Sequence, residues 1–321
     1  MILVAACSAH APTTPLPASC ASLDLVLASD AVRAGHPCRD WVEQTRGRVF
    51  GTGVAFSGTI VATTAARGGG LFVTCRHCAS GGDHVLTDPE SDPPVALQVG
   101  EPQRFYFANR MFAPNPPKSA FDDHGNLTKI LPRDDIAVAA VSNKLYKLRG
   151  QIGVIPPSKV IDGAMPLDDP RRIAASAKFW AAAQPGAQVL LLGYPRNLPD
   201  RDFRGELVAS VGEVLDDATA RDRLSRAEAD EASIPYDPDV ELVIAARAVS
   251  GMSGGGVFDV NGRYLGVMVR GTTQAVDGRY LTRVVRVSFI QAQLRSALAE
   301  ADADLRARLT PFLPMWEKPG S

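Results

Sequence analysis

Residues 49–74 read VFGTGVAFSGTIVATTAARGGGLFVT. This is three short runs rich in β-branched and aromatic residues, 49–56, 58–62 and 70–74, with glycine-containing turns around them. Residues of that kind suit a pleated, half-buried surface, and glycine marks where the chain reverses. Outward from this stretch the pattern recurs at 95–99, 104–107, 136–141, 188–193, 207–214, 240–246, 256–259, 263–269 and 279–287. Many short runs with frequent Gly and Pro between them, and no alternation of strand with helix, predict an all-β architecture of the sandwich or barrel type. The C-terminal stretch differs. From Ser288 onward, Ile290, Leu294 and Leu298 recur at i, i+4 and i+8, which predicts a helix laying one apolar stripe against the sheets. Ser288 and Gln291 have the spacing of a capping box at its start.

Two segments interrupt the strand pattern. Residues 113–134, rich in Pro, Asn and Asp, read as a long surface loop. Residues 215–236 (LDDATARDRLSRAEADEASIPY) carry dense charge of both signs and read as an exposed loop or short helix, a solvated surface insertion with a lid or specificity element over a cleft as the alternative. The division between two halves of the chain is expected near residues 165–185. The organisation expected is therefore a leader or tether over 1–24, one half over 25–175, a second over 176–310 and a tail over 311–321.

Of the 321 residues, 45% are hydrophobic and 21% charged, enough apolar material for a substantial core. The net charge is −1 and no Lys/Arg-rich run occurs, so a nucleic-acid partner has no electrostatic support. No apolar stretch reaches the about 18 residues of a membrane-spanning helix. At the N-terminus, Val4-Ala5-Ala6-Cys7 resembles the lipobox of bacterial lipoproteins, although the segment before it is short and lacks a basic region. The expectation is export, as a periplasmic, cell-envelope or secreted protein, with Cys7 a candidate lipid anchor. Setting Cys7 aside leaves Cys20, Cys38, Cys75 and Cys78, an even set that suits an oxidising compartment and leaves the pairing open. Cys75 and Cys78 form a C-x-x-C, but no second such pair offers the other half of a zinc site, so neither a metal nor another cofactor is expected.

The chemistry gathers at three places. Ser250-Gly251-Met252-Ser253-Gly254-Gly255-Gly256 sets a serine among glycines. Glycine lets the backbone take unusual dihedrals and lets a carbonyl approach closely. The amides of Gly251 and Ser253 can then converge on one developing negative charge as an oxyanion hole. A hydroxyl also needs a base. Of the five histidines, His10 lies in the leader, His36 in a Gly/Pro-flanked loop and His124 in the Asp-rich loop. His77 closes the run 71–74, a rigid place for a base, with His84 as its rival. The third group is a carboxylate to orient the imidazole. Asp135 opens the apolar run 136–141, with its neighbour Asp134 as the alternative.

Order along the chain separates the hydrolase classes. Gly251-x-Ser253-x-Gly255 also fits the nucleophile elbow of α/β-hydrolases, but their histidine follows the serine and none follows Ser253. The subtilisin order needs an acid before His77, and Asp24, Asp30 and Asp40 lack the strand-then-glycine context. His77, Asp135, Ser253 is the order of chymotrypsin-type enzymes.

With those residues in hand, the sequence resembles the trypsin-like serine peptidases over roughly residues 46–305. Thr74-Cys75-Arg76-His77-Cys78 looks like their T-A-A-H-C, Asp135-Ile136-Ala137-Val138 their D-I-A-L, and Gly251-Met252-Ser253-Gly254-Gly255 their G-[DN]-S-G-G. Residues 262–267 resemble the strand lining the substrate cleft, and 278–284 the family's G-V-Y-T-K-V. Gly51-Thr52-Gly53-Val54 and Gly193-Tyr194-Pro195 are similar to the bacterial HtrA-like and V8-like branches. The resemblance implies two packed six-stranded antiparallel β-barrels with a C-terminal helix, and a triad of His77, Asp135 and Ser253 in the cleft between them. It further implies polypeptide substrates, an acyl-enzyme intermediate and no cofactor. It also implies a domain standing alone, since too little chain follows Val285 for a PDZ domain. By the family's pattern Val269, Arg270 and Gly271 line the substrate. Arg247 falls near the base of the primary pocket, where it would favour an acidic or polar side chain.

Four departures bear on activity. Met252 replaces the Asp that pairs with a newly cut N-terminus in animal digestive enzymes, and Arg76 stands where Ala is usual. Gly256 stands where Pro is common, and Val269 where a Ser near the triad Asp is frequent. Cys78 resembles the half-cystine beside the family's histidine, yet no Cys occupies its usual partner position, so Cys75 or Cys38 would substitute. The alternative reading is a catalytically inactive homologue that keeps the barrels as a peptide- or protein-binding module, and an esterase using the same triad is a third.

Overall fold

A computed structural model describes residues 20, 23–46, 48–52, 57–64, 69–79, 95–99, 104–112, 130–142, 180–196, 198, 203, 206–300, 303, 306–307 and 310. Each of the twelve sequence runs contains a strand. In the first half these are β2 (Val49–Thr52), β3 (Ser57–Thr64), β4 (Gly69–Thr74), β5 (Val95–Val99), β6 (Arg104–Phe112) and β7 (Ala137–Ser142), preceded in the chain by a two-residue strand β1 (Val26–Leu27). Strands β2 to β7 close into an antiparallel barrel in the order β2-β3-β4-β7-β6-β5. The second half supplies β8 (Gln188–Gly193), β9 (Val208–Val214), β10 (Glu241–Ala245), β11 (Gly256–Phe258), β12 (Tyr264–Gly271) and β13 (Thr282–Arg286). They run β9-β10-β13-β12-β11-β8, and pairing of β8 with β9 joins the two ends. This second sheet is thus also closed by six antiparallel strands, with β1 laid along β9 beside it.

Period-two alternation explains the packing. On β8, Val189 and Leu191 face one apolar cluster with Val208, Leu242, Ile244, Val257, Leu265 and Val284 of the same barrel. Leu190 and Leu192 face the opposite way, into a cluster shared with Leu71, Val73, Ile136 and Val138 of the first barrel. All four β8 side chains are therefore buried, and the strand reads as continuously apolar because both its faces are covered.

The C-terminal helix runs Val287–Glu300. Ile290, Leu294 and Leu298 are buried in the shared cluster, as their spacing predicts. Ser288 is already its second residue, so the expected capping box does not form the cap; Gln291 is instead buried. The segment 215–236 holds two helices, Asp217–Ser225 and Ala229–Ala232, the first capped by the Asp216 carboxylate accepting from Thr219 N–H at 2.9 Å. The loop expected over 113–134 lies mostly outside the described residues, as do Cys7 and His84.

The N-terminal end departs from the expected organisation. Residues 25–46, expected with the first barrel, pack on the second, and the leader expected over 1–24 ends in packed structure. Cys20 and Leu23 are buried, Cys20 is disulfide-bonded to Cys38, and Leu23 O accepts from Val211 N–H. Val26 and Leu27 pair with Ala209 and Val208, and the helix Arg39–Arg46 buries Trp41, whose indole N–H donates to Asp259 O at 2.7 Å. Their apolar side chains complete a face of the second barrel that would otherwise stand in water, which outweighs proximity in sequence.

Candidate active site

Strand β4 ends at Thr74 and gives way to a single helical turn, Arg76–Ala79, that carries His77. The strand is locked between β3 and β7, with Leu71, Phe72, Val73 and Thr74 all buried, so the turn springs from a rigid base. Beside it, at the start of the neighbouring strand, a 3₁₀ turn Pro132–Asp134 delivers Asp135 just ahead of β7. The Asp135 carboxylate is buried and holds His77 twice. One oxygen accepts from the His77 backbone N–H at 2.9 Å, and the other lies 2.7 Å from Nδ1. Nδ1 is therefore the protonated, donating nitrogen of a neutral ring, which makes Nε2 the nitrogen that carries the lone pair. It is Asp135, not its neighbour Asp134, that meets His77.

The ring is 39% exposed at its side chain. Burial acts to lower its pKa, but the Asp135 charge and hydrogen bond together outweigh burial, and Arg270 acts to lower it again. The net result lies above the ordinary 6.5. Arg76 also feels the two carboxylates electrostatically. Burial pulls its pKa down, against the attraction of Asp134 and Asp135. An Arg beside the histidine thus has an electrostatic reason here, since two adjacent acids lie within its reach.

Ser253 comes from the second barrel, on the turn leading into β11. The turn begins with Met252 N–H donating to Val249 O at 3.0 Å, and Gly251 between them has φ +94. That is the positive φ a type II turn demands at its third residue. A side chain at Gly251 would also collide with the 194–196 backbone, as its Cβ would lie 2.5 Å from Arg196 N. The amides of Gly251 and Ser253 have no acceptor among the described residues. Both are thus available to an oxyanion. Met252, where the family has Asp, is fully buried in the second-barrel core and packs on Gly193. It fills space as an apolar plug.

What docks this turn on the first barrel is Ser57, which no sequence signal singled out. Its N–H donates to Ser253 O at 2.9 Å, and its hydroxyl donates to Gly251 O at 2.9 Å while accepting from Tyr194 N–H at 2.7 Å. Thr74, three residues before His77, donates its hydroxyl to Ser57 O at 2.6 Å. Gly254 lies directly on this contact, with φ +83 and a Cβ position only 1.9 Å from Ser57 O. The serine turn and the histidine turn are thus tied to one buried residue.

The flank of the site is β12. Met268 O accepts from Gly254 N–H at 2.7 Å and Met268 N–H donates to Gly255 O at 3.0 Å. A bulge between Met268 and Arg270 then sets Val269, which is buried, out of the ladder with β13. Arg270 and Gly271 are half-buried. Arg270 donates its Nε–H to Glu231 at 2.8 Å, from the helix Ala229–Ala232, so the charged excursion reaches the edge of the site. Glu231 also stands 3.7 Å from Arg283, whose buried guanidinium makes a two-pronged pair with buried Glu241 at 2.8 and 2.6 Å. Arg247 is half-buried and stacks on the Tyr280 ring with its guanidinium carbon 4.8 Å from the centroid.

Cys75 pairs with Cys78 across the histidine turn, settling the substitute partner that the sequence left between Cys75 and Cys38. Cys75, His77 and Cys78 also form the group of potential metal ligands among the described residues, their ligand atoms lying within 4.8 Å of one another.

No curated protein matches the sequence significantly. Among solved structures the chain is similar to a crystal structure of the Rv3671c protease in an inactive form, with 19% identity, 79% of this chain and 91% of that chain covered, and a TM-score of 0.41. It is also similar to the inactive form of a serine-to-alanine mutant of Rv3671c from M. tuberculosis H37Rv, with 17% identity, 88% and 99% coverage and a TM-score of 0.44. No residue role is carried over from either. The sequence itself matches the family described as the trypsin-like peptidase domain over residues 51–267, more than half its length and spanning both barrels. By that match the chain belongs to the trypsin-like peptidase family.

Proposed function

We propose that the protein is a serine endopeptidase in which His77, oriented by Asp135, activates Ser253. In this reading His77 Nε2 takes the Ser253 proton as the hydroxyl attacks a peptide carbonyl. The amides of Gly251 and Ser253 receive the oxyanion, and the protonated ring then gives its proton to the departing amine. An acyl-enzyme remains on Ser253, and water resolves it by the same proton transfers in reverse. The observation that carries the reading is the 2.7 Å contact of the buried Asp135 with His77 Nδ1, which leaves Nε2 as the basic nitrogen. The serine turn, docked through Ser57 and Thr74 beside the histidine turn, supports it. Removing one oxyanion donor typically costs on the order of 10²–10³ in rate, so the two free amides are a large share of the expected catalysis.

Val269, Arg270 and Gly271 form the substrate edge in this reading, and Arg247 sets a preference for an acidic or polar side chain before the cut. Profiling of a peptide library with the parent and Ser253→Ala tests both levels. The expected result is cleavage by the parent alone, enriched after acidic or polar residues. Cleavage after hydrophobic residues would remove the role given to Arg247. Absence of cleavage by the folded parent would favour a module that binds peptides without cutting them.

A further inference from the structure

His77 presents two nitrogens to two different neighbours. Nδ1 faces Asp135, while Nε2, the nitrogen left to act as base, lies 3.7 Å from Cys78 Sγ. A tetrahedral zinc with bonds of about 2.3 Å to sulfur and about 2.0 Å to nitrogen places two such ligands roughly 3.6 Å apart. The Cα atoms of Cys75 and Cys78 are 5.2 Å apart, and the sulfurs and the imidazole lie within one 4.8 Å group. Three ligands of the thiolate and imidazole type, with the fourth direction toward solvent on the exposed side of the ring, match the taste of zinc. The Asp135 contact on Nδ1 would orient the liganding ring, as carboxylates behind metal-bound histidines do.

We infer that reduction of the Cys75–Cys78 disulfide turns the histidine turn into a Cys75–His77–Cys78 site for a soft divalent cation of the zinc class, whose occupancy withdraws the base from Ser253. The inhibitory part rests on the peptidase reading above; the binding part does not. The chemistry balances with a dithiol as reductant. Two electrons and two protons pass to the Cys75–Cys78 bond, giving two thiols and the oxidised dithiol. The cation then displaces the two thiol protons to solvent and takes the Nε2 lone pair. In the oxidised protein the sulfurs are spent on each other and hold no cation on Nε2. The same four-residue turn therefore has a catalytic state and a metal-bound state, selected by thiol redox balance and free zinc together.

The test is cobalt titration of the full chain before and after mild dithiol treatment and removal of the reductant, with zinc as competitor. The reduced protein should develop thiolate-to-cobalt charge-transfer bands with tetrahedral d–d bands, both erased by zinc, and the oxidised protein should show none. Cys78→Ser should lose the charge-transfer intensity from its sulfur, and His77→Gln should shift the d–d bands. Peptide-resolved alkylation of the reduced parent covers the case where a variant fails to fold: Cys75 and Cys78 should alkylate without zinc and be protected by it, while the buried Cys20–Cys38 disulfide stays unmodified in both. Equal alkylation with and without zinc, or cobalt bands indifferent to His77→Gln, would overturn the site. Serine labelling of the oxidised parent keeps the two proposals apart. Labelling without cobalt bands removes the metal site and leaves the peptidase, and cobalt bands without labelling do the reverse.

Discussion

A buried carboxylate 2.7 Å from Nδ1 does two things to His77 that act oppositely on its use as a base. It fixes the tautomer that leaves Nε2 basic, and it favours the protonated ring. Because the net pKa is raised above 6.5, the basic form is scarce in mildly acid solution and grows as pH rises through the raised value. Hydrolysis should follow it, with a kcat/KM profile that climbs to a midpoint above 6.5. Arg270 acts to lower the same pKa. Arg270→Gln should move that midpoint further up, since loss of a nearby positive charge makes the ring easier to protonate. A midpoint moving down, or a flat profile between about pH 5 and 8, would contradict His77 as the base. The meeting of His77 with Asp135 was legible because each adjoins an apolar run, the kind of place where a strand end is held rigid. Ser57 was not. Its value depends on Gly251, Ser253 and Tyr194, all remote in sequence, and a buried serine opening a strand looks like any other.

The strands were legible from alternation and glycine punctuation, because each turn is local and each face is either covered or not. Strand β1 was not, since two residues carry no periodicity and its pairing with Ala209 and Val208 is decided by the far half of the chain. The C-terminal helix shows the same division. Its stripe follows from spacing, whereas its start at Val287 follows directly on β13 and places Ser288 inside the first turn. Leu294 is 1% exposed within the cluster that joins both barrels. Leu294→Ala should cost about 2–5 kcal/mol of unfolding free energy, by lost burial and the cavity left behind. Denaturant titration checks this, and a loss below about 1 kcal/mol would mean the helix merely rests on the surface. The excursion 215–236 had a charge density that reads as solvent-facing. The structure instead turns one of its acids inward, where buried Glu231 meets Arg270 and Arg283.

At the scale of the molecule, the two barrels divide the proposed triad. The first supplies His77 and Asp135, the second Ser253 and the flanking strand, and Ser57 with Thr74 joins them. The N-terminal segment, locked by the Cys20–Cys38 disulfide and bound to β9, ties the start of the chain to the second barrel before it enters the first. The family and the barrels were legible because three short motifs keep their order. The wrapping of the N-terminus was not, since nothing local says which barrel its apolar residues cover. The central claim is that an activated serine sits where the barrels meet, and fluorophosphonate labelling of the full oxidised chain, with the adduct located by peptide mass spectrometry, tests it without a guess at substrate. The account predicts one adduct, on Ser253, absent from His77→Ala. A folded parent that stays unlabelled, or one labelled at another residue, would contradict it.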